Sequence, residues 1–305
     1  MSEKYHYLFG PVPSRRLGRS LGIDVTPFKT CSFDCVFCQC GCTTRLVSDR
    51  EEFVPFVAVC AELERWLKQD GKADCITFAG SGEPTLYSRL GELIDLIKAR
   101  TLIPVIVLSN GTLLHRPAVR GELLKADIVK VSLCAWDEAS FQTINRPTPG
   151  LTFENLLAGE RAFRKEFSGA LWLEVFLMEG INADPEQVRK IAAAVVGVRP
   201  DKIHLNTAVR PPAEAGVQPV AKEKLEALCG LFSPRAEAIA SFSADADAAD
   251  KLDIEKVIDL IRRHPATAAQ LVQSFGVTTA AILPLLDDPR LQTEARGGET
   301  YYKCR

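Results

Sequence analysis

The stretch SLGIDVTPFKTCSFDCVFC, residues 20–38, contains the end of a predicted strand and the loop that follows it. Its first half alternates apolar with small or polar residues, so one face of the strand is polar. Its second half carries Cys31, Cys35 and Cys38 in the spacing C-x3-C-x2-C. The stretch therefore predicts a strand that leads into a cysteine-rich loop at one end of a sheet.

Short β-branched runs alternate with amphipathic stretches between residues 18 and 210, the pattern of βα units on a parallel sheet. Strands are predicted at residues 18–26, 74–79, 104–110, 127–133, 170–178 and 201–209. Helices are predicted at residues 55–69, 86–99, 116–125, 153–167 and 185–196. Six consecutive units favour an α/β fold with a partial (β/α)6 TIM-like barrel over a doubly wound sheet, which the same periodicity also allows.

Polar residues interrupt the predicted strands at every second position. Lys130, Ser132 and Cys134 share one face of the fourth strand, and His204 and Asn206 share one face of the sixth. A strand buried on both faces would be almost wholly apolar. The pattern predicts a barrel with a polar interior that holds a ligand. Isolated polar residues that bond to neighbouring backbone are the alternative.

Composition narrows the class of protein. Of the 305 residues, 47% are hydrophobic and 25% charged, which excludes collagen-like, disordered and disulfide-scaffold chains. No apolar run approaches a membrane span and the start of the chain lacks a signal peptide, so we expect a cytoplasmic protein with no membrane contact. The net charge of −2 argues against binding nucleic acid by bulk charge. Cytoplasmic cysteines, ten here, indicate metal binding, catalysis or packing.

The three clustered cysteines favour an iron–sulfur cluster over zinc. Structural zinc normally takes two cysteine pairs separated by a dozen or more residues, and this run has no distant partner pair. Iron–sulfur clusters normally take four cysteines, so three imply one iron left open to a non-protein ligand.

The same residues resemble the radical S-adenosylmethionine (SAM) enzymes, whose signature is this spacing with an aromatic residue, here Phe37, before the last cysteine. The resemblance implies that Cys31, Cys35 and Cys38 hold a [4Fe-4S] cluster whose fourth iron binds SAM. It implies reductive cleavage of SAM to methionine and a 5′-deoxyadenosyl radical that takes hydrogen from a substrate. An electron donor such as flavodoxin or ferredoxin is then an expected partner.

The resemblance also implies cofactor contacts where predicted strands end. The expected SAM-binding residues are Phe37, Gly80, Gly82, Glu83, Ser109, Asn110 and Ser132. GSGEPT, residues 80–85, resembles a Gly-Gly-Glu element that binds the SAM amino group, with glycines that allow close backbone approach. All of these residues lie at the carboxyl ends of strands, where barrels build their active sites.

A closer resemblance covers about residues 8–215 and concerns a bacterial and archaeal branch of these enzymes, distantly grouped with wyosine-type tRNA-modifying synthetases. It is carried by residues 10–23, 83–85, 144–147, 180–182 and 210–214. It implies a second interpretation, modification of tRNA or another RNA. A third interpretation is a non-catalytic iron–sulfur sensor whose C-terminal domain gives the output.

Three further cysteines keep more than one interpretation. Cys134 stands where that branch usually has Asp, so it has a redox or radical role or fills apolar space. Cys40 and Cys42 ligate a second metal, quench a radical or are loop substitutions.

Basic residues near the predicted first strand also have two interpretations. Arg15, Arg16 and Arg19 grip a phosphate or carboxylate substrate, or they hold the N-terminal segment over the barrel mouth. Arg210, at the end of the sixth strand, has the same two roles open to it and is, with Cys134, a candidate catalytic residue.

The chain is predicted to divide into a barrel at residues 1–213, a linker and helical connection at 214–250 and a small winged-helix domain at 251–305. Helices are expected at 253–264, 267–275 and 278–286, with a hairpin through Gly297 and Gly298. Residues 251–305 hold eight basic and seven acidic residues, and the would-be recognition helix TTAAILPLL lacks base-reading side chains. We therefore expect a protein-docking or substrate-presenting domain in preference to one that binds DNA or RNA, which is the alternative interpretation.

Overall fold

The computed structural model describes residues 5–14, 16–69, 71–239, 254–263, 265–275, 277–296 and 298–305. Its strands are β1 (Leu8–Ser14), β2 (Gly18–Ile23), β3 (Thr30–Cys31), β4 (Arg45–Leu46), β5 (Cys75–Phe78), β6 (Val105–Leu108), β7 (Ile128–Ser132), β8 (Ala170–Leu177), β9 (Lys202–Thr207), β10 (Glu237–Ala238), β11 (Ala266–Thr267), β12 (Leu291–Arg296) and β13 (Glu299–Cys304). Its α-helices are α1 (Phe56–Gln69), α2 (Leu90–Arg100), α3 (Pro117–Leu123), α4 (Glu138–Ile144), α5 (Phe153–Glu166), α6 (Pro185–Val198), α7 (Lys222–Leu228), α8 (Ile254–Arg263), α9 (Ala268–Phe275) and α10 (Thr279–Ile282). Among these helices, none is both long and apolar enough to cross a lipid bilayer.

Eight strands form one mostly parallel sheet in the order β1-β2-β5-β6-β7-β8-β9-β10. Only the β1–β2 pair in it is antiparallel. Because the parallel strands follow one another in chain order, right-handed crossovers place their helices on the same side of the sheet. A doubly wound sheet would reverse its order partway. The α/β fold is confirmed, and the strand order is consistent with the predicted partial barrel.

All six predicted strands are present as β2 and β5 to β9, and the five predicted helices are present as α1, α2, α3, α5 and α6. The sequence analysis did not predict β1, α4 or β10. Strand β1 contains Pro11 within LFGPVPS, which an edge strand tolerates because a row of its backbone groups needs no partner. Helix α4 is only seven residues long, too short to show a helical period, and begins with a capping box at Asp137.

Apolar faces of the helices cover the sheet and leave its strand ends for the site. Leu63 and Trp66 of α1 and Ile94 of α2 belong to one buried cluster with Leu21 and Ile76 of the strands. Burying each such large side chain stabilises the fold by about 1.5–3 kcal/mol. This core anchors the loops that leave the carboxyl edge of the sheet.

The predicted connection at 214–250 contributes to the barrel as far as the structure describes it. Leu225 and Leu228 of α7 and the following Phe232 join the same buried cluster, and β10 pairs parallel with β9. Residues 240–250 lie outside the described residues.

The C-terminal segment, residues 254–305, contains α8 to α10 and a three-stranded sheet in the order β11-β13-β12. The three predicted helices are present, although the third becomes a 3-10 turn at Leu283–Asp287. Two ends of the predicted first helix, Asp253 and His264, and the turn residue Gly297 lie outside the described residues. The winged-helix assignment stays a prediction, as do the domain boundaries.

This segment packs directly on the barrel. Val12 of β1 joins its apolar cluster, and Arg263 of α8 pairs with Asp24, which follows β2, over 2.9 Å. On the other side, Arg296 of β12 donates to the carbonyl of Ala208, just after β9, over 3.0 Å. The C-terminal segment therefore contacts both sides of the barrel mouth.

Candidate functional site

The structure brings most of the predicted site residues to the carboxyl edge of the sheet. The cysteine loop follows β2, the GSGEPT stretch follows β5, Ser109 and Asn110 follow β6, and Ser132 ends β7. Because these four strands are parallel and adjacent, their carboxyl ends lie at the same edge. The loops therefore meet although up to 100 residues separate them.

Each of the three cysteines accepts a hydrogen bond from a different side chain. Asn110 donates to Cys31 over 3.6 Å, Asn145 donates to Cys35 over 3.4 Å, and Lys29 donates to Cys38 over 3.1 Å. Donors of this kind stabilise negative charge on sulfur. Asn145 was noted in the sequence only as part of residues 144–147, which carry the resemblance. Nothing in the sequence marks an amide at a helix end as a partner of a sulfur.

The ionisation of the three thiols depends on burial and on these neighbours. Burial raises the pKa of Cys31 to about 12 and raises that of Cys35, and nearby Cys38 adds to both. The hydrogen bond from the Cys40 side chain, with the Lys29 ammonium, lowers the pKa of Cys38 to about 5 against its burial. The three sulfurs are therefore close enough to interact, and Cys38 is the one whose surroundings favour the thiolate.

The chemistry of this donor set fits an iron–sulfur cluster. It consists of three partly buried cysteines whose sulfurs accept from amide or ammonium donors, and thiolate sulfur is the ligand such clusters use. In the described part of the chain, no three His, Cys, Asp or Glu side chains are gathered as a site for one metal ion.

Two distant stretches hold the cysteine loop in place. The amides of Asp34 and Val36 donate to the carbonyls of Asn145 and Ile144, each over 3.0 Å. From the other side, the Glu214 amide donates to the Val36 carbonyl over 3.0 Å. Both stretches, residues 144–147 and 210–214, were singled out in the sequence only by resemblance, and the structure gives them a common physical role.

Cys40 and Cys42 lie in different surroundings. Cys40 is partly buried beside Cys38, and its thiol donates to the Arg263 carbonyl of α8 over 3.2 Å. Cys42 is exposed. Cys40 thus links the cysteine loop to the C-terminal segment.

The glycines of the GSGEPT stretch permit close backbone contact. A Cβ at Gly82 would lie 1.9 Å from the Thr30 carbonyl oxygen, next to Cys31. Gly80 has φ +139°, a conformation that favours glycine, and a Cβ there would meet Asp24. Only glycine lets this turn approach the cysteine loop.

The Glu83 carboxylate joins the loops after β5 and β6. It accepts hydrogen bonds from Thr85 N (3.0 Å), Thr85 Oγ1 (2.6 Å), Ser109 Oγ (2.7 Å) and Asn110 N (2.7 Å). Burial raises its pKa, and the four hydrogen bonds oppose that shift. The side chain of Asn110 also bonds within the protein, since its amide nitrogen donates to the Ser32 hydroxyl over 2.9 Å as well as to Cys31. The structure thus places three predicted SAM-binding residues in a protein network around Cys31.

The remaining predicted residues lie in two settings. Phe37 stacks on Phe176 with ring centres 4.3 Å apart and lines a cavity. Ser132 is half-buried at the end of β7. Cys134 is 2% exposed in an apolar cluster with Val36, outside the lining of that cavity.

The cavity has a volume of about 340 Å³. It lies below the cysteine loop and is lined by residues of that loop and of the sheet strands. Lys130 and Arg16 both pair there with Glu174, over 2.8 and 2.7 Å, and all three side chains are at most 18% exposed. Burial opposes ionisation of Glu174, but Lys130 and Arg16 hold its pKa well below the usual range. Asn206 lines the cavity too. The predicted polar interior is therefore present.

Glu174 was missed by the sequence analysis, although a charged residue in the middle of the apolar strand ALWLEVFL was a usable signal. His204 of the neighbouring strand is 2% exposed, and burial together with Arg16 lowers its pKa to about 4. The imidazole is therefore neutral at pH 7, and the positive charge of this region resides on Arg16 and Lys130.

The other predicted arginines lie in different places. Arg15 is outside the described residues. Arg19 is half-buried on β2, where its amide donates to Asp74. Arg210 lines the cavity and donates to Gln39 of the cysteine loop over 3.0 Å.

Comparison with known sequences identifies relatives for most of the chain. Residues 25–192 match the Radical SAM superfamily. A UPF0026 protein from Methanocaldococcus jannaschii is 35% identical over 227 residues, which cover 74% of this chain and 70% of that protein. A protein named GTPase Obg from Brachyspira hyodysenteriae is 36% identical over 283 residues, 92% of this chain. The chain spans only 42% of the length of that relative.

Solved structures share the fold. A structure of TYW1 with a lysine-pyruvate adduct bound has a TM-score of 0.53 and 20% identity, covering 75% of this chain and 76% of that one. A radical SAM methyltransferase from Sphaerobacter thermophilus has the same TM-score and identity, covering 75% of this chain and 68% of that one. At this identity the likeness concerns the fold.

Proposed function

Because the chain belongs to the radical SAM superfamily, we propose that it is an enzyme that binds a [4Fe-4S] cluster through Cys31, Cys35 and Cys38 and cleaves SAM reductively. The observation that carries the proposal is the set of three partly buried cysteines, each with its own hydrogen-bond donor, at the carboxyl edge of a parallel sheet. When bound, the reduced cluster and SAM supply a 5′-deoxyadenosyl radical, with methionine as the other product.

The residues around the cysteines have distinct tasks in this proposal. Asn110, Asn145 and Lys29 place N–H groups at the three sulfurs, which favours the extra negative charge of a reduced cluster. Gly80 and Gly82 keep the turn after β5 open to a closely approaching ligand. Glu83 holds that turn to the next loop, so its contribution to SAM binding acts through the shape of the loops.

The polar cavity is the expected substrate site. It is lined by Cys38 and Phe37 beside the proposed cluster, and residues of the strands and of α8 form its walls, which limits the water that could reach a radical. An RNA substrate, the second interpretation, would have to place one nucleotide in this cavity. A sensor without catalysis, the third, would need no substrate cavity.

Anaerobic reconstitution with iron and sulfide, followed by dithionite reduction with SAM, tests the proposal. We expect visible iron–sulfur absorbance and formation of 5′-deoxyadenosine, measured by mass spectrometry. Replacing Cys31, Cys35 or Cys38 singly by Ser should eliminate both. Dithionite stands in for the protein electron donor, so the assay does not depend on identifying that partner.

Two matched controls sharpen this test. Cys42→Ser changes an exposed thiol of the same loop, and Cys60→Ser changes a thiol on α1 away from the strand ends. Both should keep the cluster and the 5′-deoxyadenosine. A cluster that forms in wild-type protein but yields no 5′-deoxyadenosine would favour the sensor, and equal loss in all five variants would mean that the ligands are misassigned.

A further inference from the structure

The structure assigns the cavity below the cysteine loop as a binding site for a small molecule that carries a carboxylate or phosphate group, held by Arg16 and Lys130. This inference names the substrate class for the proposed function and rests on it. It begins from the charges that line the cavity.

Two cations share one carboxylate at the cavity wall. Glu174 Oε1 pairs with Lys130 Nζ over 2.8 Å, and Oε2 pairs with Arg16 Nη1 over 2.7 Å. The side chains are 10%, 18% and 12% exposed for Lys130, Arg16 and Glu174, so water screens them little. The trio has one positive charge in excess, and a buried uncompensated charge is costly. An anionic ligand would neutralise it.

The donors of the two cations are suited to an oxyanion. A lysine ammonium has three N–H groups and an arginine guanidinium has five in a planar fork. One N–H of each is directed to Glu174. The remaining donors match the several acceptor oxygens of a carboxylate or phosphate. Arg210, which lines the same cavity, adds a further positive charge.

Size and lining favour a small molecule. A volume of about 340 Å³ lies within the ordinary range of small-ligand sites. The polar part of the lining includes Ser20 and Thr77, whose hydroxyls are 2.6 Å apart, while Phe37 and Leu108 supply apolar surface. A ligand with an anionic end and an apolar body would match both parts, with Cys38 at the same cavity.

The C-terminal segment forms part of the cavity wall. Leu260 of α8 and Gln270 of α9 line the cavity, and the Arg263–Asp24 pair holds α8 against the barrel. Because the Arg16 and Lys130 side chains are only 18% and 10% exposed, water and salt screen them less than surface charges, which strengthens their attraction for an anion. A polyanion such as RNA would need this segment to move, so we favour a single small anion.

Titration calorimetry on the reconstituted holoprotein with SAM present provides the test, with malonate and inorganic phosphate as probes and malonamide as the neutral match for malonate. We expect at least one of the two anions to bind and malonamide to bind at least tenfold more weakly. Lys130→Met and Arg16→Met should each weaken anion binding at least tenfold. Lys125→Met, which replaces an exposed lysine, should leave anion binding unchanged.

Glu174→Gln gives the sharpest result, because it removes the compensating negative charge without removing a cation. If the site binds anions by charge, this variant should bind malonate or phosphate at least threefold more tightly. If the trio has only a structural role, Glu174→Gln should weaken binding as the other variants do. The comparison of malonate with malonamide needs only wild-type protein, so a variant that fails to fold does not remove the test.

Other outcomes would overturn the inference. Absence of binding by both anions in wild-type protein would do so. The inference would also be overturned if Lys130→Met lost tenfold in SAM affinity and malonate competed with SAM. Arg16 and Lys130 would then hold the carboxylate of SAM. Failure of the proposed function is distinct: wild-type protein would make no 5′-deoxyadenosine, whatever the anions do, and the cavity would then lose its assignment as the substrate site.

Discussion

The carboxylate of Glu83 connects the loop after β5 to the loop after β6 through hydrogen bonds, and its replacement by glutamine tests that role. Glu83 is 2% exposed and accepts four hydrogen bonds, three at Oε1 and one at Oε2. A glutamine oxygen can accept the first three. Its NH2 group then faces the N–H of Asn110, where the acceptor lay at 2.7 Å.

The expected cost follows from these bonds. Glu83→Gln loses one hydrogen bond to a charged group, worth about 1.5–3 kcal/mol, and weakens the others by removing the charge. We expect the free energy of unfolding to fall by about 3 kcal/mol. Urea unfolding measures it, and Glu92→Gln, an exposed carboxylate on α2, is the matched control.

Two results would refute this reasoning. If the free energy of unfolding of Glu83→Gln lay within 1 kcal/mol of that of the control, the carboxylate would not be what connects the two loops. Unchanged stability with abolished SAM binding would show that the carboxylate contacts SAM directly, which the resemblance to the Gly-Gly-Glu element implies.

Three further predictions concern other buried polar groups. Asn145→Ala removes the donor to Cys35 and should lower the midpoint potential of the cluster by about 20–60 mV, measured by a redox titration followed by electron paramagnetic resonance. Asn155→Ala, at a half-buried position on α5, is the control, and an unchanged midpoint in Asn145→Ala would contradict the prediction. Glu160 is fully buried, both its oxygens lack a partner among the described residues, and burial raises its pKa well above 4.5. Folding therefore favours its protonated form, and stability falls as pH rises above 4.5. Glu160→Gln cannot ionise, so its free energy of unfolding in urea should gain on that of wild type as pH rises from 5 to 7; a pH-independent difference would count against this. Arg263→Met leaves Asp24 buried without its cation and should weaken docking of the C-terminal segment by about 3 kcal/mol, seen as faster hydrogen exchange in residues 254–305, whereas half-exposed Arg262→Met should not.

The parts of the fold with strong periodicity could be predicted from the sequence. The six strands β2 and β5 to β9, which make up most of the parallel sheet, and the longer helices repeat apolar residues often enough to show their period. Strand β10 could not be predicted, because two residues paired with β9 carry no period. Strand β1 reads as a turn because of its glycine and prolines, and only its edge position makes it a strand.

The site was predictable where spacing alone carries chemistry. Cys31, Cys35 and Cys38 are marked by their separation in the chain, and Phe37 by its place beside them. The partners of these sulfurs were not, because Asn145 reaches Cys35 across 110 residues through a contact that only the folded chain makes. Conversely, Ser109 looked free to bind a ligand, yet the fold directs its hydroxyl to Glu83.

The docking of Arg263 and Arg296 on opposite sides of the barrel mouth has a consequence for traffic into the protein. Residues of the C-terminal segment form part of the cavity wall, so separating these arginines from Asp24 and Ala208 would widen the cavity for a larger molecule. The C-terminal segment would then act as a size filter, and shortening it should broaden the range of compounds admitted while exposing the reactive centre to water.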